Sequence, residues 1–417
     1  MSKHISHRLY PPPKISNPPL LMQEQPPFNQ TPELLAPAGG LEKLKIACLY
    51  GADAVYIGGQ KYGLRSGADN FTNSEIEEGC QYAHEHGVKV YVVMNAFLHL
   101  QDFDGIAEFL GFLGEVGVDG IIVSDAGVLS HIRKHSNIPA HLSTQASCLN
   151  TQAAKLWKEL GVTRIVTGRE LSIYQAAFIG QEAQVEIETF VHGAMCSSYS
   201  GNCTISNYTA GRDSNRGGCK QSCRFEYQVP GLGKEQTFMS SKDLLGLRQI
   251  PLYIEQGIHS LKIEGRMKSN MYVASTCKAY RTAINEFSKE VPDQKVIDRC
   301  ESELNLFSNR GYTEADLSGR PLFDSISQQE ENPNKFNYMG TVIHHQNNQA
   351  WVQLKNPLKA GDQIQYISRS GPNKSIDPSK LFNFSHAPIQ SARQDQVIKI
   401  EDAHELFTGM VLYKGDT

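Results

Sequence analysis

Several absences narrow the chemistry of this chain before any motif is read. No stretch reaches the ~18 consecutive apolar residues that a membrane-crossing helix needs. The basic residues near the N-terminus have no apolar core behind them, so no secretory leader is expected. The His-Glu-x-x-His signature of zinc proteases is missing, and so is the Gly-x-Ser-x-Gly nucleophile elbow. There is also no positive excess: 40 Lys and Arg face 44 Asp and Glu, a net charge of −4. The bulk field therefore does not draw in nucleic acid, and an RNA site would have to be a local basic patch. A cytoplasmic location with no membrane partner is expected. Disulfides are rare there, which leaves the nine cysteines as buried thiols or metal ligands.

At 417 residues the chain exceeds what one core usually holds, so a large and a small domain are expected. Residues 1–31 contain Pro11, Pro12, Pro13, Pro18, Pro19, Pro26 and Pro27. Such a run cannot sustain a helix or a sheet ladder, and a disordered or extended tail is expected. From Glu33 onward short apolar runs alternate with longer amphipathic ones. The strand-like runs are Leu34–Ala36, Ala54–Ile57, Lys89–Met94, Gly120–Val123, His141–Ser143, Arg164–Val166, Val185–Val191 and Ser260–Ile263. Helix-like runs between them include Leu41–Tyr50, Ser74–His86, Phe103–Val116 and Gln152–Leu160. Alternating βα units imply a parallel sheet covered by helices, and eight of them imply a TIM-like (β/α)₈ barrel over about 32–330. An open doubly wound sheet is the alternative. In a barrel, catalytic groups gather where strands end, which draws attention to Asn95, Ser124, Thr144-Gln145, Arg169-Glu170, His192-Gly193 and Glu264-Gly265-Arg266. Residues 271–308 look helical. Over 333–417, Tyr338–Val342, Ala350–Leu354, Gln363–Ile367, Val397–Ile400 and Met410–Tyr413 suggest a small all-β barrel domain.

Four cysteines, Cys196, Cys203, Cys219 and Cys223, fall in one polar, turn-rich window with spacing Cys-x₆-Cys-x₁₅-Cys-x₃-Cys. A long polar loop inside a compact domain needs a source of order, and a metal held by thiolates would supply it. Structural zinc favours two short pairs; here only the second pair is short, which tilts the reading toward an iron–sulfur cluster. The plainer alternative is four free thiols. Cys48, Cys80, Cys277 and Cys300 sit in or near helix-like stretches and Cys148 follows the fifth strand; all five are assigned to packing.

The same window runs from Glu188 through His192-Gly193 to Cys196, then Ser200-Gly201 to Cys203, and Asn215-Arg216-Gly217-Gly218-Cys219 to Cys223-Arg224. Together with Leu35–Gly39, His141–Gln145, Ser240–Leu244 and Lys262–Ser269, it resembles the signature of the peptidase U32, or collagenase-like, family over roughly 33–290. The resemblance implies less proteolysis than oxygen-independent hydroxylation of RNA bases or quinone precursors by an iron–sulfur protein. It is most similar to the branch that makes 5-hydroxyuridine at the wobble position of tRNA and depends on prephenate. On that resemblance the cluster, of the 4Fe-4S kind, is carried by Cys196, Cys203, Cys219 and Cys223, and the partner is a tRNA anticodon loop. A second U32 subunit is a further candidate partner.

Between 211 and 270, ten Lys and Arg outnumber six Asp and Glu, a local +4 beside the cysteines. Arg212, Arg216, Arg224 and Lys268 are the candidates for RNA or cosubstrate contact, and Arg216, Arg224 and Arg266 also suit a carboxylate. A solvated charged face is the alternative. Glu188, His192, Lys242, Asp243, Glu264 and Arg266 are the candidates for positioning or proton transfer. Two other classes compete: a Cys/His peptidase assembled from Cys196 and His192, and a non-catalytic scaffold with structural zinc.

Overall fold

The computed structural model describes residues 31–65, 69–228, 233, 235–307, 309–319 and 336–415. The proline-rich tail, apart from its last residue, and the expected junction near 330–333 lie outside the described residues. Strands β1 (Glu33–Pro37), β2 (Ala54–Ile57), β3 (Lys89–Met94), β4 (Gly120–Val123), β5 (Ala140–Leu142), β6 (Val162–Val166) and β7 (Glu186–Ala194) pair in chain order, all parallel. A short strand, β8 (Asp243–Leu245), pairs antiparallel with the end of β7. β9 (Ser260–Ile263) then pairs with both β7 and β1 and closes the ring. This is the eight-stranded parallel barrel that the alternation implied. A further strand, β10 (Tyr312–Thr313), extends β8 on the outside.

Helices α1 (Leu41–Leu49), α2 (Asn73–Glu85), α3 (Ile106–Glu115), α4 (Ala126–His135), α5 (Thr151–Glu159) and α6 (Ile173–Ala183) follow the first six strands. Their starts are written locally. Thr72 with Glu75 and Ser172 with Gln175 form capping boxes, and the Asp125 and Asn150 side chains cap α4 and α5. After β7 the chain makes a long excursion that includes α7 (Ile205–Ala210) and then α8 (Ile250–Glu255). α9 (Asn270–Phe287) and α10 (Gln294–Leu304) follow β9.

Two helix boundaries differ from the sequence expectation. The run expected from Phe103 begins at Ile106, because Gly105 at φ 83° breaks it from a short turn over Leu100–Phe103. The stretch 271–308 divides into α9 and α10, with Pro292 just before Asp293, whose side chain caps α10.

The C-terminal part is an antiparallel sheet of β11 (Phe336–Gln346), β12 (Gln349–Leu354), β13 (Ile364–Tyr366), β14 (Lys374–Ile376), β15 (Leu381–Phe382), β16 (Val397–Ile400) and β17 (Val411–Gly415). Its order is β14-β13-β17-β11-β12-β16-β15, an open half-barrel where a closed barrel was expected. The two edge strands, β14 and β15, are three and two residues long, too short to zip together. The sheet has its own core, with Val352, Ile364 and Ile398 among its members. It docks on the barrel through polar contacts as well: the Tyr50 hydroxyl donates to the Ile367 carbonyl at 2.8 Å, and Lys278 Nζ reaches Asn373 Oδ1 at 2.7 Å.

The barrel interior is apolar on one side only. Leu35, Tyr56, Tyr91, Val93 and Ile122, from β1 to β4, form a small cluster. The other side is charged. Lys262 of β9 lies 2.8 Å from Glu188 of β7, and Arg164 of β6 lies 2.6 Å from Glu33 and 3.6 Å from Glu188. Glu188 is fully buried, and Arg164 and Lys262 nearly so. These ion pairs floor the cavity described next.

Candidate active site

At the carboxyl ends of the strands the barrel opens into a cavity of ≈ 460 Å³. Its wall carries Glu264, Lys262, Arg266, Arg65, Asn95 and Gln145, on loops that follow four different strands or on the strand ends themselves. Arg65 lies 3.6 Å from Glu264. Burial opposes ionisation of Glu264, yet Arg65, Arg169, Lys262 and Arg266 together outweigh it and hold its carboxyl below the usual range. Beside the mouth the Arg169 guanidinium stacks 3.8 Å over the Phe190 ring. With Glu188 counted against Lys262, four cations face two carboxylates, an excess of two positive charges in a partly enclosed space.

Arg266 is seated by small residues. A Cβ on Gly58 would stand 2.3 Å from its Nη2, and one on Gly39 would stand 1.9 Å from its carbonyl oxygen. Only 3% of the residue is exposed, and burial lowers its pKa to about 10. Its Nη2 donates to Asn70 Oδ1 at 2.5 Å. Its Nε, together with Asn95 Oδ1 and Thr144 Oγ1 on the same wall, has no hydrogen-bond partner among the described residues. Buried polar atoms are normally satisfied. Three orphaned ones around a single opening mark a place prepared for a polar, anion-bearing ligand.

The loop after β7 roofs this mouth. The backbone N–H of Phe97 donates to the Asn215 carbonyl at 2.9 Å, and Arg216 Nη1 reaches both the Phe97 carbonyl and Asp102, each at 2.6 Å. On the other side Asn202 Nδ2 donates to Ser147 Oγ at 2.9 Å, and the Ser200 N–H donates to Glu170. Inside the loop, Asn215 clamps the Cys203 backbone through both its amide atoms, at 3.2 and 3.1 Å. The turn-forming side chains thus supply part of the order that composition alone left unexplained.

Cys196 and Cys219 are exposed, Cys203 and Cys223 are half-buried, and the other five cysteines are buried. The thiols of Cys219 and Cys196 act on Arg65, adding to the rise in its pKa that Glu264 chiefly causes, so the roof and the mouth share one electrostatic environment. Among the described residues no three Cys, His, Asp or Glu side chains could hold one metal ion. As a donor set, four thiols on one pinned loop are soft ligands of the kind that hold zinc or an iron–sulfur cluster.

Several residues singled out by sequence lie elsewhere. Glu188 is under the floor, where it pairs with Lys262 and does not reach the opening. His192 is 1% exposed and packs among Tyr272, Tyr280 and Tyr312, with Nδ1 3.1 Å from the Tyr280 hydroxyl. The cause is a bulge. Lys262 pairs with Phe190 but Ile263 pairs with His192, so one extra β7 residue turns the histidine toward α9. Asp243 is neutralised by Arg310, whose Nε also donates to the Ser241 carbonyl at 2.7 Å. The Lys242 stem lies along Gly311, and the Lys268 ammonium sits 5.6 Å over the Tyr272 ring. Arg224 bonds Gln221, Arg212 is exposed, and Arg216 is consumed by Asp102. Of the six catalytic candidates, only Glu264 and Arg266 line the mouth. Arg65, Lys262 and Asn95 line it without having been named as site residues; Lys262 and Asn95 sit in the flagged strand-end segments, whereas Arg65 carries no local signal.

The buried histidine makes a pH prediction. Burial, with a smaller push from Lys268, lowers the His192 pKa from 6.5 to about 3. Below pH 6.5 the unfolded chain takes up a proton that the folded chain refuses. The stabilisation is complete above that pH and is lost as pH falls toward 3, by up to about 1.4 kcal/mol per pH unit. His141, buried beside Arg164 and Lys262, acts in the same direction. Urea midpoints at pH 7 and pH 5 should separate further for the natural protein than for His192→Gln; equal separations would refute the assignment.

Comparison with known proteins adds to this picture. The model for peptidase family U32 matches residues 39–326. The tRNA hydroxylation protein P1 of Bacillus subtilis is 40% identical over 405 residues, covering 93% of this chain and 96% of that protein. The 23S rRNA 5-hydroxycytidine C2501 synthase of Escherichia coli is 37% identical over 266 residues, 63% of this chain and 40% of that one. A collagenase of Porphyromonas gingivalis is 30% identical over 409 residues, 92% of this chain and 98% of that one.

Proposed function

The chain belongs to peptidase family U32, and we propose that it is a tRNA-modifying hydroxylase that forms 5-hydroxyuridine at the wobble position without molecular oxygen. The observation that carries this reading is the cationic mouth with its three orphaned polar atoms, set beneath the four-thiol roof. The names of the relatives support it, because one acts on tRNA and another on a pyrimidine of ribosomal RNA. The expected cofactor is a 4Fe-4S cluster on Cys196, Cys203, Cys219 and Cys223; bound there, it would supply redox chemistry beside the mouth.

The chain's own residues would do the rest. Arg266 and Arg65 present guanidinium forks that match a carboxylate, as prephenate would bring, and Lys262 adds a point charge fixed by Glu188. Glu264, held ionised by its neighbours, is placed to accept a proton from a bound group. The base has to leave its stack to enter the cavity, and an anticodon loop already presents unstacked bases. Among the described residues no helix is long and apolar enough to cross a membrane, in keeping with a cytoplasmic substrate.

Peptidase chemistry, which the name of the collagenase relative raises, needs a nucleophile beside a base. His192 is sealed among tyrosines and is not that base. The decisive measurement is mass spectrometry of nucleosides from tRNA of a deletion strain. Hydroxyuridine should return with the natural gene and stay absent with Cys203→Ser, and anaerobically purified protein should lose its iron and brown colour in the same variant. Full hydroxyuridine without the gene would end the proposal. Colourless protein carrying zinc would favour the scaffold instead.

A further inference from the structure

The roof of the mouth carries aromatic side chains that the fold does not use. Tyr208, on α7, is 88% exposed, Tyr199 is 65% exposed and Phe225 is 45% exposed. All three are on the excursion after β7. Tyr208 and Phe225 flank one contact: Thr209 Oγ1 donates to Ser222 Oγ at 2.7 Å, and the Phe225 N–H donates to the Ser222 carbonyl at 3.1 Å. Tyr199 stands on the turn that rests against the loop after β5, through Asn202 and Ser147. The three therefore stand exposed on a scaffold that is tied down on two sides.

The net charge between them is positive. Over 196–226 the basic residues are Arg212, Arg216, Lys220 and Arg224, and the acids are Asp213 and Glu226, a balance of four minus two. Asp213 is occupied, since its Oδ1 accepts the Asn215 N–H at 2.9 Å. Arg212 and Lys220 are exposed. Exposed rings interleaved with cations are the arrangement that holds single-stranded nucleic acid: bases stack on the rings while phosphates meet the charges. A protein-binding patch would not need a cationic frame, and a patch for a small ligand would not lie outside the cavity.

We propose that Tyr199, Tyr208 and Phe225 form a stacking platform for the unpaired bases flanking the target nucleotide, with Arg212 and Lys220 holding the backbone. The platform rests on the reading of this protein as a tRNA hydroxylase, and it adds the surface by which the loop is gripped. It accounts for aromatic exposure concentrated on a segment whose thiols and backbone bonds have other duties.

The test uses the full-length, anaerobically purified protein and a fluorescent 17-nucleotide anticodon stem-loop, a length of about one hairpin. Tyr208→Ala and Phe225→Ala should each weaken binding about tenfold, whereas Tyr208→Trp should bind as the natural protein does. With tRNA as substrate, the alanine variants should raise KM and leave kcat in place. Arg212→Gln and Lys220→Gln should each reduce the slope of log affinity against log salt by about one. Phe178→Ala, on the exposed face of α6, serves as the control for loss of an exposed ring. If the natural protein restores hydroxyuridine in cells but the alanine variants bind the stem-loop normally, the platform falls and the hydroxylase reading stands. If hydroxyuridine is not restored, the hydroxylase reading falls, and stem-loop binding still decides the platform. If the aromatic variants instead dissociate a protein dimer while RNA binding is intact, the surface is a protein interface and the proposal is overturned.

Discussion

Glu188→Ala should cost this barrel about 3–5 kcal/mol of stability, as truncation of one partner in a buried ion pair does. Glu188 is fully buried and faces two cations, Lys262 at 2.8 Å and Arg164 at 3.6 Å. Arg164 keeps Glu33 and Glu186 when the carboxylate is removed, whereas among the described residues Lys262 has no second ion-pair partner and keeps only the field of Glu264. The ammonium borders the open mouth, so the lower half of the range is expected. Glu188→Leu combined with Lys262→Met should recover most of the loss, because the pair is expensive to break and cheap to replace. Denaturant unfolding of the single and double variants measures this. A single-variant loss below about 1 kcal/mol would show that the pair is solvated and is not the floor described here.

Arg266→Ala should lower kcat/KM about a hundredfold with little change in fold stability. That is the size expected when a charge-assisted hydrogen bond to an anion is removed. Among the described residues the guanidinium hydrogen-bonds Asn70 and keeps an orphaned Nε on the cavity wall, so bonding capacity is left for a ligand. Arg266→Lys should recover only part of the activity, since an ammonium cannot reproduce the planar fork. An independent route to the same result is Gly58→Val. A Cβ there would stand 2.3 Å from Nη2 and must push the guanidinium aside. Gly58→Val and Arg266→Ala should not be additive, because both remove one interaction. If Gly58→Val is fully active, Arg266 is not the anion clamp.

These two residues, one on β7 and one just after β9, show what local reasoning reached. Arg266 was flagged because it follows a strand in a barrel, and barrel strand ends carry chemistry. Glu188 stands at the start of the cysteine window, a different family segment, yet its place beneath the mouth depends on the pleat of β7 and on Lys262 across the pair. The family motif marks a conspicuous carboxylate while leaving open which depth of the barrel it occupies.

What the sequence by itself determined was periodic or contiguous. Eight apolar runs separated by amphipathic ones dictate parallel strands that must be covered by helices, and closure of eight follows from strand twist and tilt. Capping residues such as Thr72, Asp125 and Ser172 mark helix starts because their partners lie within three residues. The four thiols of one loop are visible as a spacing for the same reason. What only the tertiary structure decided depends on distance across the barrel or on a single inserted residue. The bulge at Val191 turns His192 outward and defeats a period-two count. Asp243 is neutralised by Arg310, Arg216 is captured by Asp102, and Arg65 reaches Glu264, each from a segment remote in the chain. Such partners carry no local pattern: they are chosen by the ring closure that brings strand ends together, and a charge is free or spent only after that geometry exists.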